Sequence, residues 1–448
     1  MNEPSALTAL DNECTYMAIP SIEQAPHETI RRFQEEKLRE LLVYLQKHSP
    51  YYQQLFKTCG IDVQAVRTLA DLAQLPFTTK EQLQHDNEAF RCVAATDVAD
   101  YVTTSGTSGD PVMLALTDGD LDRLAYNESL SYQCMAMEAG QRVQLTTTLD
   151  RRFMAGMAYF LGARRAGIGV VRVGSGVPEL QWDTIARVQP DALVCVPSFL
   201  LKMIEFAEAN GIDYRNTSVK KALCIGEPIR NPDFSLNALA SRIRSKWDIP
   251  LFSTYASTEM ATAFTECAHG VGGHHHPELI IAEFVDDDGR PVPEGEAGEL
   301  VVTTLGVEGM PLLRFKTGDI VQPHYEPCAC GRTTLRLGPV IGRKNQMVKY
   351  KGTTLYPPAL FDLLNDMEEV ATYVIEIGSD EFGEDEITVK VGAKNTSDEL
   401  LLKIKDRFRA KLRVSPSIRF AAIDEINRMK FPENSRKPIT LFDRRKPR

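Results

Sequence analysis

The sequence lacks an excess of positive charge, a long apolar run and an internal repeat, and each absence removes a class of function. Lys+Arg total 51 against Asp+Glu 61, a formal charge of −10, so the balance does not build the basic face of a general nucleic-acid binder. The basic finish at Arg444–Arg448 is a few charges on a terminus. No apolar run reaches the ~18 residues that cross a bilayer, and the opening MNEPSALTALDNEC has no basic-then-apolar leader. No membrane partner is expected, and the expected location is the cytoplasm. The 9 cysteines are spread too thinly over 448 residues for a disulfide scaffold. No low-complexity tract stands out beyond a histidine cluster. A chain of this length can bury a large core and form two or three domains.

What is present reads in order as a helical preface, an alternating region, an antiparallel region and a small last domain. From Pro26 the stretch ETIRRFQEEKLRELLVYLQKH places Ile30, Phe33, Leu38, Leu41 and Leu42 at helical spacing. PYYQQLFKTC is a second short helix ended by Gly60, and LPFTTKEQL a third entered through Thr78 or Thr79. After a helix from Asp118, strands (RVQLTTT, GVVRV, ALVCVP, KKALCIGE, PLFSTYA) alternate with helices, the signature of a parallel sheet covered on both faces. Ligand crevices of such sheets lie outside the carboxyl ends of the strands. After Cys267 the texture becomes antiparallel, with turns at Asp288-Gly289 and Gly295. From Gly342 onward ATYVIEI, DEITVKV and SIRFAAI surround a charged helix at 397–410, a small α+β domain. The fold class expected is α/β with mixed sheets, divided into residues 1–342 (helical preface 22–90, β-rich segment 280–342) and residues 343–448.

Tyr101–Pro111, YVTTSGTSGDP, is the stretch around which the chemistry gathers. Gly106 and Gly109 allow a tight turn whose N–H groups converge on an anion, and Ser105, Thr107 and Ser108 add hydroxyl donors. No lysine follows the glycines, so this is not the P-loop pattern. YASTE, Tyr255–Glu259, sits at the end of a strand. There a tyrosine can stack in a base or substrate pocket, Thr258 can donate to a phosphate, and Glu259 can ligate Mg²⁺. Asp319, at the end of RFKTGD, can accept two hydrogen bonds from a ribose diol. Arg343 can contact ribose and phosphate together.

In this order the segments resemble the adenylate-forming enzymes, and with PYYQQLF and LPFTTKEQL the chain is similar to their phenylacetate–coenzyme A ligase branch. The resemblance implies that Thr104, Ser105, Gly106, Thr107, Ser108 and Gly109 cradle the phosphates of ATP. It implies that Gly226, Glu227 and Pro228 line the adenine, with Tyr255 and Thr258 nearby, and that Glu259 holds the Mg²⁺ of ATP. Asp319 matches the ribose-binding aspartate, Gly342-Arg343 the pair before the interdomain hinge, and Lys437 the adenylation lysine. Three positions depart from the pattern: Asp110 where many members carry lysine, Asn345 where Asp or Lys is common, and Arg436 in place of the glycine before Lys437.

The cysteines supply a second constellation. Cys328-Ala329-Cys330-Gly331 is a compact chelating turn; with Cys267 it offers three thiolates, and one histidine would complete a tetrahedral structural Zn²⁺ site. The spacing E-C-x₄-G-x-H from Glu266 to His274 resembles metal-bearing members of the branch, which favours His274; His269 is the other candidate.

The activity implied is activation of a small-molecule carboxylic acid, phenylacetate or a related aryl acid, with ATP to an acyl-adenylate. Transfer to coenzyme A follows, after the small domain turns Lys437 away. Lys437, Glu259 and Arg343 carry the catalytic roles in that reading. Phe153, Met154 and Tyr159 offer an apolar lining for the acid. A homodimer is carried as the candidate assembly. Two alternatives stay open: an adenylating enzyme that delivers to a carrier-protein thiol, and a binding protein on a decayed ligase scaffold.

Overall fold

The computed structural model describes residues 20–104, 111–350, 353–379, 385–432 and 438–445. The described chain divides into two compact units. The first comprises residues up to Phe234, Ile243–Thr317 and Val321–Pro339; the second comprises Ser235–Arg242, Gly318–Ile320 and Val340 onward. The sequence placed the main boundary after residue 342.

The first unit opens with four helices, α1 (His27–His48), α2 (Pro50–Cys59), α3 (Leu69–Leu72) and α4 (Lys80–His85). Their limits follow from local chemistry. Ser49 caps α2 ahead of Pro50, Gly60 ends it in the left-handed region, and Thr79 closes a capping box with Gln82 at the start of α4. Leu38, Leu42 and Leu45 bury one face of α1. Beyond the preface come a hairpin, β1 (Asp100–Thr103) and β2 (Met113–Leu116), and α5 (Asp118–Cys134).

The central sheet follows: β3 (Arg142–Leu145), α6 (Met154–Arg165), β4 (Gly169–Arg172), α7 (Pro178–Val188), β5 (Ala192–Cys195), α8 (Pro197–Ala209), β6 (Lys221–Cys224), α9 (Ala238–Lys246), β7 (Leu251–Ser257) and β8 (Thr262–Thr265). The strand order is β4-β3-β5-β6-β7-β8, parallel except for β8. β5 is buried at every residue, as a strand covered on both faces must be. Within this sheet antiparallel pairing thus enters with β8 at Thr262, earlier than the sequence suggested. TAFT is wholly buried and has no inside–outside alternation to announce it.

The rest of this unit is β-rich: β9 (Gly273–His274), β10 (Ile280–Val285), β11 (Gly298–Thr304), the first part of β12 (Phe315–Val321), β13 (Pro323–His324) and β14 (Arg336–Leu337). The preface is threaded onto β12. Thr78 N donates to Arg314 O at 3.0 Å, Lys316 N donates to Thr78 O at 2.9 Å, and the Thr78 hydroxyl donates to Leu313 O at 2.7 Å.

In the second unit β15 (Gly342–Arg343) pairs with residues 319–320 of β12, and β16 (Val348–Tyr350) with β17 (Thr353–Leu355). Helix α10 (Pro357–Asn365) leads to β18 (Val370–Ser379), β19 (Asp385–Ala393), α11 (Asp398–Leu412), β20 (Ser417–Phe420), α12 (Ile423–Lys430) and β21 (Leu441–Asp443). The sheet runs β20-β19-β18-β21. Ile375, Ile377, Val389 and Val391 pack with Ile404 and Phe408 of α11 as its core. Ser397 caps α11 through Leu400 N.

One close approach is testable. A Cβ on Gly156, in the first turn of α6, would lie 2.1 Å from the carbonyl oxygen of Thr148. Alanine normally gains up to about 1 kcal/mol over glycine in a helix. Against fixed backbone the clash outweighs that gain, and Gly156→Ala is expected to destabilise by about 1–3 kcal/mol, read as a lowered midpoint in denaturant.

Candidate active site

The first unit presents three segments on its carboxyl edges. Thr104 follows β1 and is buried; its N–H donates to Val112 O at 3.0 Å and its hydroxyl accepts from Val112 N at 3.0 Å. The two residues therefore pinch the mouth of the loop between β1 and β2. Ser105, Gly106, Thr107, Ser108, Gly109 and Asp110 lie outside the described residues.

At the end of β6, Gly226 has φ +76 and is exposed with Pro228. The Glu227 carboxylate accepts from Ser198 N and the Ser198 hydroxyl, both at 2.9 Å. Val196 leaves α8 without a side-chain cap of its own, so Glu227 supplies the anion that its N-terminus favours. Nothing in the sequence announces that bond, because Ser198 opens α8 after β5 whereas Glu227 lies in the turn after β6.

YASTE is not wholly past its strand: Tyr255 lies inside β7, paired with Phe264 of β8, and Ser257 is the last strand residue. The turn that follows carries Thr258 and Glu259, and the Ser257 hydroxyl accepts from Met260 N at 3.3 Å. Lys80 Nζ, at the first position of α4, stands 3.6 Å from Glu259 Oε1. This half-buried cation beside Glu259 escaped the sequence reading, which took LPFTTKEQL as a helix of the preface that resembles the ligase branch and gave Lys80 no role. One carboxylate with room for phosphate oxygens is the protein share that Mg²⁺ commonly takes.

In the second unit Asp319 and Arg343 are cross-strand partners, with Arg343 Nε 2.9 Å from Asp319 Oδ1. Asp319 is buried while Arg343 is half exposed. Gly342 is required beside them, because a Cβ there would meet the Tyr356 ring at 2.1 Å. Lys437 lies outside the described residues.

Cys267, His274, Cys328 and Cys330 converge, with their donor atoms all within 4.8 Å of one another. Cys267 Sγ is 3.7 Å from Cys328 Sγ, and Cys330 Sγ is 3.5 Å from His274 Nε2. Zn–S bonds of about 2.3 Å and a Zn–N bond of about 2.0 Å give tetrahedral edges of about 3.8 Å and about 3.5 Å, so the donor set fits that ion. Burial pulls the His274 imidazole down to about 3, leaving it neutral as a ligand must be. Burial and the neighbouring cysteines push the Cys267 thiol well above its usual range. At Cys330 burial acts the same way, but hydrogen bonds from Arg332 outweigh it and the thiol lies below its ordinary value. His269 is exposed and outside the group. His275 Nε2 faces Ile280 O at 2.6 Å, and the Glu266 carboxylate is engaged by Arg230 and Ser253 N, each at 2.9 Å.

Beside this quartet lies a buried network that sequence reasoning missed. Glu23 accepts from Arg332 Nε at 2.5 Å and is joined to His276 Nδ1. Arg332 reaches on to Gln133 Oε1 at 2.7 Å and to Cys330 Sγ at 3.5 Å. Burial opposes the charge on Glu23, but His276 and Arg332 keep its carboxyl below the ordinary range.

A family model described as AMP-binding enzyme matches residues 22–309, and the chain belongs to that family. It is 31% identical over 377 residues to the phenylacetate-coenzyme A ligase of Thermus thermophilus, with 83% of each chain covered. It is 25% identical over 451 residues to the phenylacetate-coenzyme A ligase of Escherichia coli K12, covering 96% of this chain and 98% of that one. These relatives place it in the phenylacetate–coenzyme A ligase branch. Among solved structures, 2-hydroxyisobutyryl-CoA ligase in the postadenylation state shares the fold with a TM-score of 0.84 at 22% identity, over 97% of this chain and 94% of that one.

Arg332→Met removes one partner of a fully buried carboxylate while keeping the side chain's bulk. The expected loss is about 3–5 kcal/mol of stability, the range for breaking a buried pair. Adding Glu23→Gln should recover part of it; urea unfolding of the single and double variants measures the coupling.

Proposed function

We propose that the protein is an ATP-dependent, AMP-forming carboxylate–coenzyme A ligase acting on phenylacetate or a related aryl acid in the cytoplasm. The observation that carries this reading is similarity to a phenylacetate-coenzyme A ligase across 83% of both chains, together with six family segments in family order. The acid's carboxylate oxygen attacks the α-phosphorus of ATP, the bond to pyrophosphate breaks, and an acyl-adenylate forms. The thiol sulfur of coenzyme A then attacks the acyl carbonyl, the bond to AMP breaks, and the thiol proton passes to solvent.

No side-chain nucleophile is needed, so the residues position groups and neutralise charge. In this reading the Thr104–Gly109 loop donates to phosphate oxygens, and the Gly226-Glu227-Pro228 turn lines the base beside Tyr255. Thr258 donates to phosphate, and Asp319 accepts from the ribose diol next to Arg343. Glu259 would hold Mg²⁺, which supplies positive charge at the phosphates, with Lys80 beside it. Lys437 supplies charge where the carboxylate meets the α-phosphate. Cys267, His274, Cys328 and Cys330 would hold a structural Zn²⁺ that has no position open to substrate. A homodimer is the assembly proposed.

The test is pyrophosphate release across a panel of aryl and alkyl acids, with and without coenzyme A. Acid-dependent release that ends in a coenzyme A thioester supports the reading. Release with no thioester points to a carrier-protein thiol as acceptor, and no release with any acid removes the ligase assignment. In the same assay Lys437→Ala should slow acyl-adenylate formation by about 100-fold or more, the scale of losing a transition-state donor. Thioester formation from pre-made acyl-adenylate should fall far less; equal losses would make Lys437 a structural residue.

Cys328→Ser should lower bound zinc below one per chain and reduce the melting temperature, because the binding energy of such a site is folding energy. Full zinc content with wild-type melting would remove Cys328 from the ligand set.

A further inference from the structure

The turn between β9 and β10 carries polar atoms that neither the proposed reaction nor the cysteine quartet uses. Leu279 N and Ile280 N both donate to His276 O, at 3.0 Å and 3.2 Å, so residues 276–280 form one tight turn. The turn is clamped by its neighbours. Gln34 Nε2 on α1 donates to Pro277 O at 3.1 Å and to Ile280 O at 3.0 Å, and Arg123 donates to Leu279 O at 2.6 Å. His276 is 0% exposed and Glu278 4%, and Glu23, at 0%, meets them from the preface. One nitrogen of His276 and one carboxylate oxygen from each of Glu23 and Glu278 lie within 4.8 Å of one another.

The hydrogen bonds of this group leave two atoms over. Glu23 Oε1 is joined to His276 Nδ1, and Glu23 Oε2 accepts from Arg332 Nε at 2.5 Å. An ionised carboxylate can only accept, so Nδ1 carries a proton and Nε2 is the free edge of the ring. His276 Nε2 has no partner among the described residues. Glu278 repeats the pattern: Oε1 accepts from the Tyr126 hydroxyl at 2.8 Å, while Oε2 has no partner among them. Buried polar atoms are normally paired, so two orphans on one clamped turn point to a bound group. Both offer electron pairs, which suits a cation. A histidine oriented by a carboxylate at one nitrogen and free at the other, beside a carboxylate that is itself hydrogen-bonded, is the usual setting of a metal-ligating imidazole.

The charges agree with the hydrogen bonds. Burial, and after it the charge of Glu23, push the Glu278 carboxyl up to about 7. Burial also pushes nearby Glu128 up to about 7, and its Oε2 is unpartnered too. This interior therefore holds more carboxylate than Arg332 and the imidazole neutralise, a deficit that a divalent cation removes. The group shares no ligand with the cysteine quartet, although Arg332 donates to a member of each, Glu23 and Cys330.

We propose that Glu23, His276 and Glu278 form a second metal site, in which the free nitrogen of His276 and the free oxygen of Glu278 ligate a divalent cation and Glu23 orients the imidazole from its other edge. An imidazole with a carboxylate selects a transition-metal ion of the zinc or manganese kind. All three side chains are buried, so the site is closed to substrate and its role is to pin the start of the preface to the β9–β10 turn. The proposal does not depend on the ligase reading.

The test counts metal on the full chain, expressed with added zinc and passed through gel filtration, for the wild type, Cys328→Ser and Glu278→Gln. The expected wild-type content is about two zinc ions per chain, one for each donor set, falling to about one in either variant. Expression with cobalt separates the sites, because only the quartet gives intense thiolate-to-cobalt absorption. Glu278→Gln should lose one cobalt and keep that band at full strength. A wild type with no metal, or with one metal and the full thiolate band, means that a proton or a water closes the turn and overturns the proposal. A single metal without the band that Glu278→Gln loses upholds the second site and removes the quartet. Equal metal content in the wild type and Glu278→Gln places every ion elsewhere, Glu259 included, and overturns the proposal. Should Glu278→Gln not fold, His276→Gln is read in the same way, and the wild-type count with its cobalt band remains decisive against the site.

Discussion

The guanidinium of Arg123 is the constraint on which the first unit turns. It is fully buried on α5, and among the described residues no carboxylate pairs with it directly. Instead it donates to Leu305 O at 2.7 Å, Ala261 O at 2.6 Å, Leu279 O at 2.6 Å and the Thr262 hydroxyl at 3.1 Å. Burial draws it down to about 10, which still leaves it charged at neutral pH. These carbonyls belong to the turn after Glu259, the lead into β10 and the end of β11. One buried cation therefore holds the metal-candidate turn, the antiparallel segment and α5 together. A carbonyl with no partner in such an interior would be costly, so each bond serves both ends.

A similar economy governs the cysteine quartet and its surroundings. Arg332 touches Cys330 on one side and Glu23 on the other, so the chelating turn is joined to the first described residues of the preface. Thr333 adds backbone and hydroxyl bonds to the same stretch, donating to Glu23 O at 2.8 Å and Ala25 O at 2.7 Å. The preface also reaches Glu259, through Lys80. Although the family segments sit on the sheet, the preface is the part that braces both constellations.

The second unit shows how two residues read separately become one device. Asp319 and Arg343 were assigned to ribose and to the hinge, yet they face each other across β12 and β15. The arginine sets the charge environment of the aspartate and holds its Oδ1. Gly342 permits the arrangement by leaving room for the Tyr356 ring.

Much of this was legible in the residues alone, for physical reasons. The βα alternation announces itself because continuous apolar runs and helical spacing differ in period. Ser49, Gly60, Thr79 and Ser397 mark helix ends because capping is local. The three cysteines and the identity of the fold family were readable because ligand type and motif order do not depend on coordinates. Helices α10 and α12 were not read: α10 opens on Pro357-Pro358, which mimics a turn although proline fits a first helical position, and α12 is short and charged. The spacing favoured His274 over His269, and the structure brings His274 to the cysteines; only tertiary structure set Lys80 beside Glu259 and made Glu227 a cap for α8. Each of those depends on which distant segments are brought within a few ångströms, and that is decided by packing across the sheet, where sequence separation carries no information about distance.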